Sequence, residues 1–182
     1  MALAYQEHYL IEDYEQWEGD WELIDGMPYA MSPAPVTEHQ YIGSMIVGIL
    51  NEKLEECEAC YAVAEAEWRA REDTVFRPDV MVVCSREMER YNTKRPEMIF
   101  EVVSPATAKR DEHYKFDYYE AEGVPWYTIV YPSLLIAKIY RNVDGTFKKA
   151  GECKDETFVY ETPCGEVAVD FGRVFKRLRR QR

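Results

Sequence analysis

The chain of 182 residues is long enough for one domain with a sizeable core, and its formal net charge is −12. That acidic balance argues against a protein that coats nucleic acid through general positive charge. The charge is uneven, because residues 1–60 hold 13 acidic side chains and one basic one, whereas residues 61–182 hold 21 of each. No apolar run could span a membrane, and the first residues lack the basic region and apolar core of a signal peptide. We therefore expect a single domain over residues 1–182, located in the cytoplasm.

The N-terminal part predicts a short helix followed by a hairpin. Residues 8–19 are acidic and aromatic, and we expect the short helix there. Trp21–Ile24 and Met27–Met31 then flank Asp25-Gly26, which is a strong hairpin turn signal. The two flanking segments are therefore predicted to pair as antiparallel strands.

A longer helix is predicted after the hairpin. Thr37 is a candidate N-cap, and the helix would end near Glu58. Apolar residues recur along it with helical spacing, at Ile42, Met45, Ile46, Ile49, Leu50 and Leu54. Glu38 and His39 would lie in its first turn. A single histidine in such a place is more often a structural or surface residue than a catalytic one.

Three strands are predicted next. Tyr61–Ala70 alternates between two faces, with Glu65 and Glu67 on one of them, where they would either face a functional site or lie in solvent. Phe76–Cys84 and Met98–Val103 are apolar runs rich in valine, which is typical of buried strands.

The segment after these strands predicts a helix and a returning strand. Thr107 would cap a helix from about Ala108 to Glu122, which Gly123 would end. Trp126–Tyr131 is apolar and would lie as a strand beside Met98–Val103.

The C-terminal part predicts more strands and an amphipathic helix. Leu134–Arg141 and Thr146–Ala150 would pair about the turn at residues 142–145, and Val167–Val169 would add a short strand. Apolar residues at helical spacing predict a final helix, at Phe171, Val174, Phe175 and Leu178. The last ten residues are basic without any acid, so this tail would either contact phosphates or form a solvated helix end that favours positive charge.

The five cysteines are an odd number without the spacing of a disulfide framework. Cys57 and Cys60 form a C-x2-C pair, which is compatible with zinc binding or a redox pair, but no second pair follows closely. Reduced thiols, as in most cytosolic proteins, are the interpretation that the sequence favours.

Two acidic residues, Asp79 and Glu101, lie in the two valine-rich strands. A carboxylate in an apolar strand is costly to bury unless something compensates its charge. One compensation is a hard divalent cation such as Mg²⁺, held through oxygen ligands from adjacent strands, which could polarise a phosphate and activate water. The other is an ion pair, for which the candidate cations are Arg77, Lys109 and Lys115.

Several short motifs follow one another in a fixed order along most of the chain, roughly from residue 10 to residue 140. They are Trp21–Gly26, Met31–Pro33, His39, Pro78-Asp79, Glu101–Pro105, Asp111, Lys115, Tyr119, Gly123–Pro125 and Tyr127. This ordered set resembles the Uma-two family of endonucleases in the PD-(D/E)XK superfamily. The resemblance implies a restriction endonuclease-like α/β fold: a central mixed sheet flanked by helices, which the N-terminal hairpin and the C-terminal strands would extend.

The resemblance also implies a function, that of an endonuclease that uses Mg²⁺ or Mn²⁺ to hydrolyse phosphodiester bonds of DNA. Asp79 and Glu101 would bind the metal with the main-chain carbonyl of Val102, and activated water would attack the phosphate in line. Val103 stands where the superfamily has a lysine, so Lys115 would orient the water or stabilise developing charge in its place. Further residues would line the site: Glu38, His39, Glu65, Glu67, Ser104, Asp111 and Tyr119.

Two alternatives stay open at this point. The missing strand lysine and the acidic N-terminal third favour a non-catalytic module on the same fold that binds nucleic acid or protein. Alternatively, Asp79 and Glu101 are purely structural, each neutralised by Arg77, Lys109 or Lys115. For Lys115 itself, the alternative to a role in catalysis is a surface pair with Asp111, one helical turn away.

Nucleases that cut both strands often act as two-fold dimers, so a homodimer is a further expectation. Ser85–Glu97, a polar segment predicted to contain a turn of helix, and the C-terminal helix are the candidate contacts.

Overall fold

The computed structural model describes residues 7–31, 36–104 and 110–181, without the side chains at positions 110 and 111. Some predicted features lie outside this described part. They are the cap at Thr107, the start of the helix at Ala108, the candidate cation Lys109, the side chain of Asp111, and the motif residues Ser32, Pro33 and Pro105.

Four α-helices are present in the described residues: α1 Ile11–Tyr14, α2 Thr37–Lys53, α3 Lys115–Ala121 and α4 Phe171–Arg179. A π-helical segment, Arg110–Tyr114, leads into α3, and a 3₁₀ turn spans Pro132–Leu134. The strands are β1 Trp21–Ile24, β2 Met27–Ala30, β3 Cys60–Ala64, β4 Trp68–Arg71, β5 Thr74–Phe76, β6 Val80–Cys84, β7 Met98–Val102, β8 Trp126–Tyr131, β9 Ile136–Val143, β10 Thr146–Cys153, β11 Thr157–Thr162 and β12 Gly165–Asp170. No helix in the described part of the chain is long and apolar enough to cross a membrane.

A mixed sheet of six described strands, in the order β10-β9-β8-β7-β6-β3, forms the centre of the molecule. Strands β7 and β8 run parallel, as their connection through α3 requires, and the other neighbours are antiparallel. One face of the sheet packs on α2, α4 and the β11–β12 hairpin, and the other packs on α3 and a smaller sheet. The predicted fold class, a central mixed sheet flanked by helices, is confirmed.

The N-terminal hairpin joins a separate four-stranded sheet, in the order β2-β1-β5-β4, and does not extend the central sheet as predicted. The hairpin itself is as expected, because Asp25 and Gly26 adopt the positive φ values, 48° and 70°, that a tight turn of this kind requires. At the C-terminal end, β9 and β10 extend the central sheet, whereas β11 and β12 form a hairpin of their own.

Two predicted strands are each broken into two, and at each break the chain passes between the two sheets. Tyr61–Ala70 divides into β3 and β4 near Glu65, whose φ is 50°, a left-handed conformation that interrupts an extended strand. Phe76–Cys84 divides into β5 and β6 at Pro78, which has no N–H to donate to a strand ladder. Asp79 therefore lies at a corner between the sheets, directly before β6.

The N-terminal helices differ from prediction mainly at their ends. Helix α1 is a single turn, and α2 ends at Lys53 with Val36, not Thr37, at its N-cap. The segment Ser85–Glu97, described throughout, contains no helix.

The tail helix α4 is as predicted, and its four apolar residues are buried. Because that apolar face packs inside the molecule, it is not a dimer contact, and the homodimer stays a prediction.

All five cysteines lie in the described part of the chain, and four of them form two bonded pairs, Cys57 with Cys164 and Cys60 with Cys84. Cys153 is unpaired and buried. The sequence favoured free thiols and did not reveal these pairs. The bonded partners are 24 and 107 residues apart, and such separations leave no local pattern in the sequence.

Candidate functional site

Asp79 and Glu101 meet where the start of β6 lies beside the end of β7. The amide of Asp79 donates to Glu101 Oε2 at 3.4 Å, and the amide of Val102 donates to Asp79 Oδ2 at 2.6 Å. The register of β6 and β7, with Val80 opposite Phe100, places the two acidic residues at neighbouring positions. The two carboxylates that the sequence singled out are therefore brought together.

The buried side of this site is a group of charged side chains around Lys115. Its ammonium lies 2.9 Å from Glu101 Oε1 and 3.0 Å from Glu22 Oε1. Lys115, Glu101 and Glu22 are at most 1% exposed. Lys115 reaches this position because it is the first residue of α3, which packs on the face of β7 that Glu101 occupies. We call Glu22, Asp79, Glu101 and Lys115 the carboxylate–lysine cluster.

Tyr119, one turn after Lys115 on α3, completes the buried side. Its hydroxyl donates to Glu101 Oε1 at 2.8 Å. Burial, and then the negative charges of Glu101 and Glu22, raise the pKa of Tyr119 well above its usual value. Tyr119 therefore stays a neutral donor that holds the Glu101 carboxylate in place.

The open side of the cluster is formed by Asp79 and His39. His39 Nε2, in the first turn of α2, lies 3.0 Å from Asp79 Oδ2, and both side chains keep some solvent exposure, 13% and 17%. Burial on its own would raise the pKa of Asp79. The hydrogen bond and charge of His39, followed by the charge of Lys115, outweigh that effect, so the pKa of Asp79 lies below its usual value.

The ligand atoms of the cluster suit a hard cation. Lys115 contacts the carboxylates of Glu22 and Glu101, and His39 contacts that of Asp79. Buried carboxylates are expensive unless their charge is compensated, and oxygen ligands of this type suit a hard divalent ion.

Comparison with known proteins gives a family and a fold. A family model described as "Uma2: Putative restriction endonuclease" matches residues 11–162. The chain belongs to the Uma2 family. A solved structure, a putative nuclease of the DUF820 group from Anabaena variabilis ATCC 29413, has the same fold with a TM-score of 0.74 at 15% sequence identity, covering 93% of this chain and 98% of that one. No curated protein is significantly similar in sequence.

In this Uma2 protein, Glu22 is a member of the cluster that the sequence analysis missed. It lies in β1 between apolar neighbours and is completely buried. Its Oε1 accepts a hydrogen bond from the amide of Arg77, at the break between β5 and β6, and also contacts Lys115. A signal was present, because an acid next to Leu23 and Ile24 in a predicted strand needs compensation for the same reason as Asp79 and Glu101 do in the predicted valine-rich strands.

Two other predicted site residues of the Uma2 chain, Glu65 and Glu67, have carboxylates whose partners lie outside the carboxylate–lysine cluster. Glu67 turns away from the cluster and accepts hydrogen bonds from Tyr14 and Arg69. Glu65 is exposed, and although its amide donates to the carbonyl of Asp79, its carboxylate accepts from Gln40. The position of Glu67 follows from the strand break, because β4 belongs to the smaller sheet.

Glu38 and Ser104 are half-buried beside cluster elements, in the first turn of α2 and just after β7. The predicted surface pair between Lys115 and Asp111 is wrong for Lys115, whose ammonium is buried and bound by Glu22 and Glu101. An ion pair that the structural alternative allowed, between Glu101 and Lys115, is present.

Proposed function

We propose that this Uma2 protein is an endonuclease that uses Mg²⁺ or Mn²⁺ to hydrolyse phosphodiester bonds of DNA. The observation that carries the proposal is the contact between Asp79 and Glu101 at the edge of a buried cluster that also contains a lysine. Membership of a family described as putative restriction endonucleases supports DNA as the substrate.

The donor set of the cluster fits a divalent metal. Asp79 and Glu101 would supply carboxylate oxygens, and Val102 would supply its main-chain carbonyl. In an extended strand the N–H and C=O groups of one residue point to the same side, and the amide of Val102 points at Asp79. We therefore expect its carbonyl on the Asp79 side of β7, away from β8, to which the next amide donates. When bound, the ion would polarise the phosphate and lower the pKa of water.

Lys115 would stabilise negative charge that develops on the phosphate. The PD-(D/E)XK resemblance leads one to expect a lysine two residues after Glu101, and Val103 stands there. Lys115 reaches Glu101 from helix α3 instead, at 2.9 Å. Glu22 and Tyr119 are positioning residues in this proposal: Glu22 holds the ammonium, and Tyr119 holds the Glu101 carboxylate.

Asp79 and His39 form the partly exposed side of the cluster, so DNA would approach there. His39 would orient the Asp79 carboxylate through their 3.0 Å contact and keep it ionised for metal binding.

A second candidate is a non-catalytic module that binds DNA on the same fold. The observation that favours it is the ion pair itself, because Glu22 and Glu101 already engage the ammonium of Lys115. A lysine held in this way could serve only to neutralise two buried carboxylates.

Nicking of supercoiled plasmid in the presence of Mg²⁺ tests the proposal. The parent should convert the plasmid to open circles, and Asp79→Asn and Glu101→Gln should each lose this activity by orders of magnitude. Glu161→Gln, at an exposed position on β11, is the matched control and should cleave like the parent. A parent that binds the plasmid without nicking it would leave the non-catalytic module as the better account.

A further inference from the structure

Four cysteines form a second cluster in this protein, which we call the four-sulfur cluster. Cys57 lies between α2 and β3, Cys60 begins β3, Cys84 ends β6, and Cys164 lies in the turn between β11 and β12. The sulfur atoms of Cys57, Cys60 and Cys164 all lie within 4.8 Å of one another. Cys84 faces Cys60 across the β3–β6 ladder, and its sulfur contacts that of Cys60. The two cysteine pairs are therefore parts of one group of sulfurs.

The local geometry of Cys57 and Cys60 suits a metal-binding turn. The two residues have C-x2-C spacing, and the amide of Cys60 donates a hydrogen bond to Cys57 Sγ at 3.3 Å. This bond would stabilise a thiolate, because a donor aimed at sulfur favours its charged form. C-x2-C is also the spacing by which many structural zinc sites supply two of their ligands.

The distances among the sulfurs of Cys57, Cys60 and Cys164 suit a single ion. With zinc–sulfur bonds of about 2.3 Å, the sulfurs of a tetrahedral site lie about 3.8 Å apart. Three of the four sulfurs are already within 4.8 Å of one another, and the fourth is carried by β6, whose pairing with β3 fixes it beside Cys60.

We propose that, when its four thiols are reduced, the four-sulfur cluster binds one Zn²⁺ ion through four thiolates. Binding displaces the four thiol protons, and it excludes the paired form, because a sulfur in an S–S bond has no thiolate charge to give to the metal. Converting the pairs to the zinc form needs a reductant that supplies two electrons to each pair: a thiol, which is itself oxidised to a disulfide and brings the two protons, or a phosphine, which is oxidised to its oxide while water supplies the oxygen and the two protons.

Such a site would be structural and separate from the proposed nuclease site. Four protein ligands leave no open position for a substrate. Asp79 precedes β6 and Cys84 ends it, so the two clusters lie about 16 Å apart along an extended strand. The ion would connect the β11–β12 hairpin to the central sheet, joining residues 107 apart in the sequence.

The test is the zinc content of the full chain purified under a phosphine reductant and without chelator, measured by elemental mass spectrometry. We expect one zinc ion per chain in the parent. Cys57→Ser and Cys164→Ser should lose it, whereas Cys153→Ser, which removes the buried cysteine outside the cluster, should keep it. Asp79→Asn should also keep its zinc, so the outcome does not depend on the proposed nuclease function.

A second measurement covers variants that fail to fold. Co²⁺ added to the reduced, zinc-free parent should give the visible absorption of a tetrahedral thiolate complex, and Zn²⁺ should abolish it. Parent protein without zinc, with one free thiol and a mass four hydrogens below that of the reduced chain, would overturn the proposal in favour of two disulfides. Zinc that persists in Cys57→Ser and Cys164→Ser, or cobalt without that absorption, would also overturn it.

Discussion

The two ends of strand β6 bring together groups of opposite chemical character. The carboxylate–lysine cluster lies at its start and offers hard oxygen atoms, whereas the four-sulfur cluster lies at its end and offers soft sulfur atoms. Hard ligands suit Mg²⁺ and Mn²⁺, and thiolates suit Zn²⁺. The first cluster keeps partial exposure at Asp79 and His39, as the proposed nuclease site requires, whereas the proposed zinc site would use all four sulfurs as ligands. Under the two proposals, strand β6 carries a reactive centre at one end and a structural centre at the other.

The largest effect that we expect from a single change at the reactive end is that of Lys115→Met. It removes the charge between two buried carboxylates and should lower plasmid cleavage by orders of magnitude. It should also lower the free energy of unfolding at neutral pH, by about 3 to 5 kcal/mol, because Glu22 and Glu101 lose their shared cation. Chemical denaturation and the nicking assay measure the two effects.

The control for that variant is the double change Lys115→Met with Glu22→Gln. Removing one carboxylate together with the lysine should restore part of the stability without restoring cleavage, because the two charges interact directly. Cleavage near the parent level in Lys115→Met would show that this lysine has no role in the reaction, whatever happens to stability.

A smaller effect is expected for Glu22→Gln alone. The amide keeps the shape of the side chain and can still accept from the amide of Arg77, but it gives Lys115 a weaker partner. We expect a loss of about 1 to 3 kcal/mol in unfolding free energy and a partial loss of cleavage, with Mn²⁺ affinity maintained. Glu67→Gln is the matched control in the smaller sheet, because Glu67 contacts Tyr14 and Arg69 and should leave cleavage unchanged. Equal losses of cleavage in both variants would contradict the assignment of Glu22.

The smallest effect concerns the basic tail. Lys176, Arg177 and Arg180 are exposed on α4 or at its end, whereas Leu178 between them is buried, so substitution tests the charges more cleanly than truncation does. If these three side chains contact phosphates, changing them to Gln should weaken DNA binding. The slope of the log binding constant against log salt concentration should also become shallower, by about 0.9 for each lost contact. An unchanged salt slope would show that the tail is a solvated helix end.

Features that depend on neighbouring residues were predicted well from the sequence. The turn at Asp25-Gly26 is local chemistry, and the spacing of Phe171, Val174, Phe175 and Leu178 fixes one face of a helix. Asp79 and Glu101 were found because an acid in an apolar strand needs compensation, and that argument requires no knowledge of the partner.

Features that depend on distant residues could not be predicted in the same way. Strand β5 leaves the central sheet because it pairs with β1, with Val75 opposite Leu23, about 50 residues away in the sequence. Glu22 was missed because its partner Lys115 belongs to another element 93 residues later. The four-sulfur cluster draws on three separate regions, so only the C-x2-C pair was visible beforehand.

The measurement that tests the central claim most directly is calorimetric titration of Mn²⁺ into the parent, Asp79→Asn, Glu101→Gln and the control Glu161→Gln, all with their zinc content determined. The account predicts a binding heat in the parent and the control that is lost in both Asp79→Asn and Glu101→Gln, while all four proteins stay folded. Binding of Mn²⁺ by Asp79→Asn and Glu101→Gln with the affinity of the parent would contradict it and place the metal elsewhere.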